Sequence, residues 1–218
     1  MEKATLVLED NSSMVVSGQS GSGKSMFCLK LIENLEGMFQ NPPSHIYYCY
    51  GVWQKLYEHM ENSFEIISFH EGVPSKDQIQ QWTNGKHNLM ILDDLGQEAV
   101  QNREVENLFT KYCHHLNFSC ILILQNIFQQ GSSARTIALN AWYTVLFKNP
   151  RDAAQVSFLG RQMYPSKPKM LVEVYEDCTS QPFSYLFLDT SPHMEDAYRM
   201  RTRIFPGEIP LIYVPKKT

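Results

Sequence analysis

A chain of 218 residues, 43% hydrophobic and 19% charged, is long enough to bury its own core and has the balance of a globular protein in water. The formal charge of −4 excludes a surface coated for nucleic acid but leaves room for a local basic patch. No apolar run approaches bilayer length, and the start "MEKATLVLEDNSS" reads as lacking a signal-peptide core. The five cysteines (Cys28, Cys49, Cys113, Cys120, Cys178) are odd in number and scattered, with no C-x-x-C pair. Neither a zinc site nor a disulfide framework is indicated, and a reducing intracellular compartment is expected.

In chain order, the pattern allows a strand near Thr5–Leu8 and predicts one at Met14–Ser17, a glycine-rich turn and a helix over Lys24–Asn34. Strands at Ile46–Tyr50 and Phe64–Ser68 flank a helix at Trp53–Glu61, and a helix at Lys76–Trp82 leads to a strand at Leu89–Leu92. A long helix is expected over Val100–Leu116, a strand at Ile121–Leu124, a helix at Ala134–Ala141 and a strand at Tyr143–Phe147. A helix at Asp152–Arg161, a loop at Tyr164–Met170 and a strand at Tyr185–Leu188 follow. The last twenty residues, 199–218, read as an irregular, proline-punctuated tail. Strands that are apolar almost throughout, alternating with helices, point to an α/β fold with a mainly parallel sheet covered on both faces. The expectation is a single domain over residues 1–218.

The stretch "MVVSGQSGSGKSMFCLKLIENL" sets a strand, a glycine-rich turn and a helix in succession. Gly18, Gln19, Ser20, Gly21, Ser22, Gly23, Lys24 and Ser25 fit G-x-x-x-x-G-K-[ST] at every fixed position, and Met26 continues the set into the helix. Such a loop turns backbone N–H groups inward around a phosphate, and the helix dipole adds to the attraction. Lys24 is placed to reach the β- and γ-phosphates of ATP, and the Ser25 hydroxyl to ligate Mg²⁺.

Asp93 and Asp94 close the apolar run "LMIL". Taken alone they read as a turn. Beside a phosphate loop, Asp93 becomes the partner of Mg²⁺, and Asp94 the group that orients or deprotonates the attacking water. The next strand, "SCILILQN", ends on Gln125 and Asn126, and Gln125 there is a candidate γ-phosphate sensor. Two candidate strands separate the phosphate-loop strand from the acidic strand along the chain, an order that suits a motor-type ATPase better than a small-molecule kinase.

The segments "SGQSGSGKS", "ILDDL", "ILILQN", "SARTIALNAWYTVLFKNPRD" and "SYLFLDTSP" together resemble the FtsK–HerA-type genome-packaging ATPases. The similarity is to those of poxvirus-like large DNA viruses, Maverick/Polinton elements and adintovirus-like elements, and it spans roughly residues 12–207. "FKNPRD" and "IFPGE" are its most particular segments. The resemblance implies a P-loop fold of the additional-strand, RecA-like kind. It implies a ring of identical subunits, six as the expectation, that hydrolyses ATP to drive double-stranded DNA into a preformed capsid and docks on the capsid vertex or other capsid proteins. The setting it implies is a host-cell nucleus or cytoplasmic virus assembly site, or the virion itself, with no membrane partner. By matching position, Lys24 and Ser25 are the phosphate-loop pair, Asp93 the magnesium partner, Asp94 the catalytic acid and Gln125 the sensor. Asp94 departs from the wider superfamily, where many members carry glutamate; its carboxylate sits about one bond further from the water. A cellular DNA-translocating ATPase of the same superfamily and a nucleotide kinase remain as alternatives.

Ring ATPases complete their sites with an arginine from a neighbour, and Arg135, after "QQGSS", and Arg151, in "NPRD", are the candidates. For DNA, the loop Phe128–Ser133 and the tail are candidate contacts. The tail carries Arg199, Arg201, Arg203, Lys216 and Lys217 against Glu208 alone. Tyr47, Tyr48, Tyr50, Trp53 and Tyr57 fit core packing better than base stacking, and the seven histidines show no metal spacing.

Overall fold

The computed structural model describes residues 6–127, 129–151 and 153–215. The strands of the described residues are β1 (Ser13–Ser17), β2 (His45–Tyr50), β3 (Ile67–Glu71), β4 (Asn88–Asp93), β5 (Phe118–Leu124), β6 (Tyr143–Phe147), β7 (Tyr185–Asp189), β8 (Met200–Thr202) and β9 (Leu211–Tyr213). They form one sheet in the order β3-β2-β4-β5-β1-β6-β7-β8-β9. The first six strands pair in parallel, and β7, β8 and β9 join antiparallel at one side.

The fold is therefore the α/β, mainly parallel arrangement expected, with one correction of order. The two strands that precede β4 in sequence lie on its far side, and β5 is the strand inserted between β1 and β4. Ser17 is level with Leu124 and Leu92 with Leu122, so β1, β4 and β5, which end at Ser17, Asp93 and Leu124 just before Gly18, Asp94 and Gln125, finish on one edge. That edge is the carboxyl end of the parallel strands, where open α/β sheets bind their ligands.

Alternation along each strand divides the core in two. Met14, Val16, Ile46, Tyr48, Leu89, Ile91, Ile121 and Ile123 face helices α1 (Lys24–Glu33), α2 (Leu35–Met38) and α3 (Lys55–Ser63). Val15, Cys49, Met90, Leu92, Cys120 and Leu122 face the opposite layer. That layer holds α4 (Lys76–Trp82), α5 (Gly96–Ala99), α6 (Arg103–Asn107), a π-helical turn (Leu108–Tyr112), α7 (Cys113–His115) and α8 (Ala134–Asn140). A third cluster seats α9 (Ala153–Met163) and α10 (Pro168–Cys178) on Leu146, Leu186 and Leu188.

Several expectations are corrected. Thr5 lies outside the described residues, and Leu8 makes only an isolated bridge to Phe39. The strand expected at Phe64–Ser68 starts three residues later, because α3 runs on to Ser63 and a turn closed by Ile67 N–H on the Phe64 carbonyl takes up the residues between. The long helix expected over Val100–Leu116 is broken. The Asn102 side chain accepts the Glu104 N–H at 2.8 Å and so begins a new helix, while the Val100 carbonyl is claimed by Ser133 N–H. The expected loop at Tyr164–Met170 gives way at Pro168, the first residue of α10, a position that proline fits. Asp152, the expected start of a helix, lies outside the described residues, as do Lys216 and Lys217. The tail is not irregular throughout, since it supplies β8 and β9.

Phe27 of α1 anchors the helix that follows the phosphate loop. Its ring meets Phe147, Tyr185 and Phe205 edge-on at centroid distances of 6.2, 5.1 and 5.2 Å. Phe27→Ala is expected to lower the unfolding free energy by about 3–5 kcal/mol, measured by urea denaturation of the variant beside the wild type.

Candidate functional site

Gly21 and Gly23 take φ of 74° and 106°, the left-handed region open to glycine, and they carry the chain from β1 into α1. Gly18 is fixed by its neighbours, because a β-carbon there would stand 2.6 Å from Phe147 Cβ and 2.7 Å from Ser22 Oγ. The Ser22 hydroxyl is buried and has no hydrogen-bond partner, a polar atom left free inside the loop. Lys24 folds over the loop and donates to the carbonyls of Gly18 at 2.7 Å and Gln19 at 2.9 Å. Burial lowers its pKa, and the charges of Asp93 and Asp94 oppose that shift.

Asp93, the last residue of β4, is 4% exposed, and its Oδ2 accepts three hydroxyl hydrogens. Ser25 donates at 2.8 Å, Tyr48 at 2.8 Å and Tyr57 at 3.0 Å. A buried carboxylate needs such compensation, since an unpaired one costs several kcal/mol. Burial, and then the Asp93 charge, push both tyrosine hydroxyls well above the usual phenol range, so they stay protonated as donors.

Asp94 is exposed and left-handed at φ 57°, a conformation in which aspartate is enriched among non-glycine residues. The backbone holds it there. Gly51 N–H donates to the Asp93 carbonyl at 3.1 Å, and a β-carbon on Gly51 would lie 2.3 Å from the Asp94 carbonyl oxygen. Only glycine fits beside that turn.

These groups open on one cleft of about 580 Å³. It brings together the phosphate-loop residues Ser20, Gly21, Gly23, Lys24, Ser25 and Met26 with Asp93, Asp94 and Gln125. Gln19 and Ser22 line a smaller recess on the other side of the loop. Arg135, exposed on α8, and Arg151, exposed after β6, do not line the cleft, and no arginine among the described residues does. Of the loop expected at Phe128–Ser133, Phe128 lies outside the described residues. Gln129 lines the cleft, and Ser133 is buried with its hydroxyl on Glu106 at 2.6 Å.

Other expectations change too. Arg199 and Arg201 are not free tail cations. Arg199 binds Asp196 at 2.8 Å and the carbonyls of Asp189 and Ser191, while Arg201 is buried and donates to the Tyr198 carbonyl. Tyr48 and Tyr57 are core residues as expected, but their hydroxyls serve Asp93, which the sequence pattern did not signal. Gln54 and Gln97 also line the cleft unannounced, since exposed glutamines outside a motif carry no signal of their own.

The two most particular sequence segments brace this site. Within "FKNPRD", Phe147 stands against Gly18, and Asn149 Nδ2 donates to the Gln125 carbonyl at 3.3 Å. Within "IFPGE", Phe205 packs on Phe27, and Glu208 pairs with Lys30 of α1 at 2.5 Å.

The donor set suits a hard cation. Ser25 and Asp93 offer oxygen ligands beside a phosphate loop, and no cluster of three histidine, cysteine or acidic residues among the described ones offers an all-protein site. Mg²⁺ is commonly held this way, by one or two side-chain oxygens with phosphates and water completing its shell.

The chain is similar to known proteins in family and in fold. The family described as Poxvirus A32 protein matches residues 2–139. No curated protein sequence matches the chain. Among solved structures, the genome packaging NTPase B204 from Sulfolobus turreted icosahedral virus 2, in complex with ATP-gammaS, gives a TM-score of 0.53. That likeness covers 95% of this chain and 98% of that chain at 12% identity. The AMPPCP complex of the same NTPase gives 0.50 at the same identity and coverage. At such identity the likeness is one of fold.

The three hydroxyls on Asp93 generate a prediction. Tyr48→Phe and Tyr57→Phe are each expected to lower stability by about 1.5–3 kcal/mol, the value of a hydrogen bond to a charged group, in chemical denaturation at neutral pH.

Proposed function

Because the chain belongs to the poxvirus A32 protein family, we propose that it is an ATPase that packages a viral genome, moving double-stranded DNA into a preformed capsid. The observation that carries this reading is the single cleft in which Lys24, Ser25, Asp93, Asp94 and Gln125 meet at the carboxyl edge of the sheet. The similar B204 structures hold ATP-gammaS and AMPPCP, which supports ATP as the nucleotide.

The chemistry follows from the side chains. Lys24, half-buried and folded on the loop, exchanges carbonyl oxygens for phosphate oxygens, and the free Ser22 hydroxyl adds a polar group to the loop. Ser25 and Asp93 would hold Mg²⁺, which when bound neutralises charge on the β- and γ-oxygens. Asp94, exposed on the cleft wall, orients the attacking water and takes its proton. Gln125, between the two motif strands, contacts the γ-phosphate or the water. Water is the acceptor in this reading, with Asp94 placed to take its proton, and no arginine among the described residues lines the cleft.

The same gap favours a ring. An arginine supplied by a neighbouring subunit completes such sites in related phosphoryl-transfer systems, with Arg135 and Arg151 exposed and available for that role. Six subunits, docking on a capsid protein and DNA contacts lining a central pore complete the proposal. No helix among the described residues is long and apolar enough to cross a membrane. We place the protein in a reducing host compartment, nuclear or at a cytoplasmic assembly site; its five cysteines are free and buried.

Two experiments test the reading. Asp94→Asn is expected to bind ATP as the wild type does while turnover falls by about 10²–10⁴-fold, and Lys24→Ala to lose nucleotide affinity itself. Wild-type turnover in Asp94→Asn removes Asp94 from the chemistry. Phosphate release measured against protein concentration, with and without duplex DNA, is expected to rise cooperatively with both. Turnover indifferent to both rejects the ring motor.

A further inference from the structure

Phe183 lies in the turn "SQPFS" between α10 and β7, with its backbone left-handed at φ 62° and its side chain largely in water, 70% exposed. Bulky residues seldom adopt that conformation, and burial gives no reason for it here. The turn is braced, since Ser184 donates to the Gln181 carbonyl through its N–H at 3.3 Å and its hydroxyl at 2.6 Å, while Pro182 fixes the residue before the ring. Phe183 is held out by design of the turn rather than left loose.

It is held against the phosphate loop. A β-carbon added to Gly23 would lie 3.2 Å from Phe183 Cδ1. One helical turn's start away, Met26 also stands out, 55% exposed. A second cleft, of about 800 Å³, runs off from the phosphate cleft between α1 and this turn, and Gly23, Met26 and Phe183 line both. A nucleotide with its phosphates on Lys24 can extend its nucleoside along this cleft, and Gly23, Met26 and Phe183 stand where the two clefts share their lining.

We propose that Phe183 is the stacking platform for the base of the bound nucleoside triphosphate, with the Met26 side chain as the adjoining apolar wall. The inference rests on the reading that Gly18–Ser25 binds a nucleotide, and it deepens that reading by naming where the base lies. An aromatic ring offers its face to any planar base, and a thioether adapts its shape beside it. Gly23, Met26 and Phe183 line both clefts, so a nucleotide held by its phosphates in the first is within reach of setting its base in the second.

The test compares MgATP with magnesium tripolyphosphate, which has the phosphates and no base, by calorimetric titration of wild type, Phe183→Ala and Phe183→Tyr. Phe183→Ala is expected to weaken ATP about tenfold or more and to leave tripolyphosphate within about twofold, while Phe183→Tyr keeps ATP affinity. Equal loss of both ligands in Phe183→Ala assigns the ring a structural part in the phosphate loop and overturns the platform, as does unchanged ATP affinity. A wild-type chain that binds neither ligand overturns the nucleotide site itself, so the two failures are distinct.

Discussion

A carboxylate buried at the end of β4 is the constraint on which the site depends. Asp93 is nearly sealed from water, and its charge is tolerable only because Ser25, Tyr48 and Tyr57 all donate to one oxygen. Those donors come from α1, β2 and α3, so a single atom ties the phosphate loop to three other elements. The aromatic cluster around Tyr48 and Tyr57, closed by Phe69, makes those phenols rigid as well as polar. The carboxylate is thereby fixed by side chains from three elements, and a group held in place this way spares reorganisation during the reaction.

Sheet order does the rest of the positioning. With β5 between β1 and β4, Gln125 emerges between the lysine strand and the acid strand and is held there from the other side by Asn149. The C-terminal half of the chain thus contributes few groups to the cleft itself and much of its support. Phe147 backs Gly18, Phe205 backs Phe27, and Glu208 reaches Lys30 at the foot of α1. That division explains why the segments most particular to the sequence lie outside the cleft: they are the mould around common chemistry.

How far the sequence disclosed all this depends on the range of the interactions. The phosphate loop is contiguous, and Asp93 and Asp94 follow an unmistakable apolar strand, so both were legible. Gln125 was legible through its place at a strand end. The break at Asn102 was in reach, because an asparagine that caps a helix announces itself by type, but the apolar run around it read as continuous. Helix α10 was also in reach: Leu171, Val174, Tyr175 and Cys178 recur at helical spacing and are all buried. The hydroxyl contacts of Tyr48 and Tyr57 were not, for a tyrosine packed in a core and one bonded to a carboxylate look alike along the chain. Phe183 reaches Gly23 only through folding, 160 residues away in sequence, and no local pattern marks it.

The left-handed turn at Asp94 bears on how this enzyme can change. Lengthening the arm to glutamate looks like a small step toward the usual superfamily residue. Here the backbone stands in a conformation that aspartate and asparagine accept more readily than glutamate does. The turn in its place leans directly on Gly51, where any side chain would collide. Reach and backbone geometry are therefore coupled, and an exchange of Asp94 for glutamate strains a turn that Gly51 leaves little room to relax.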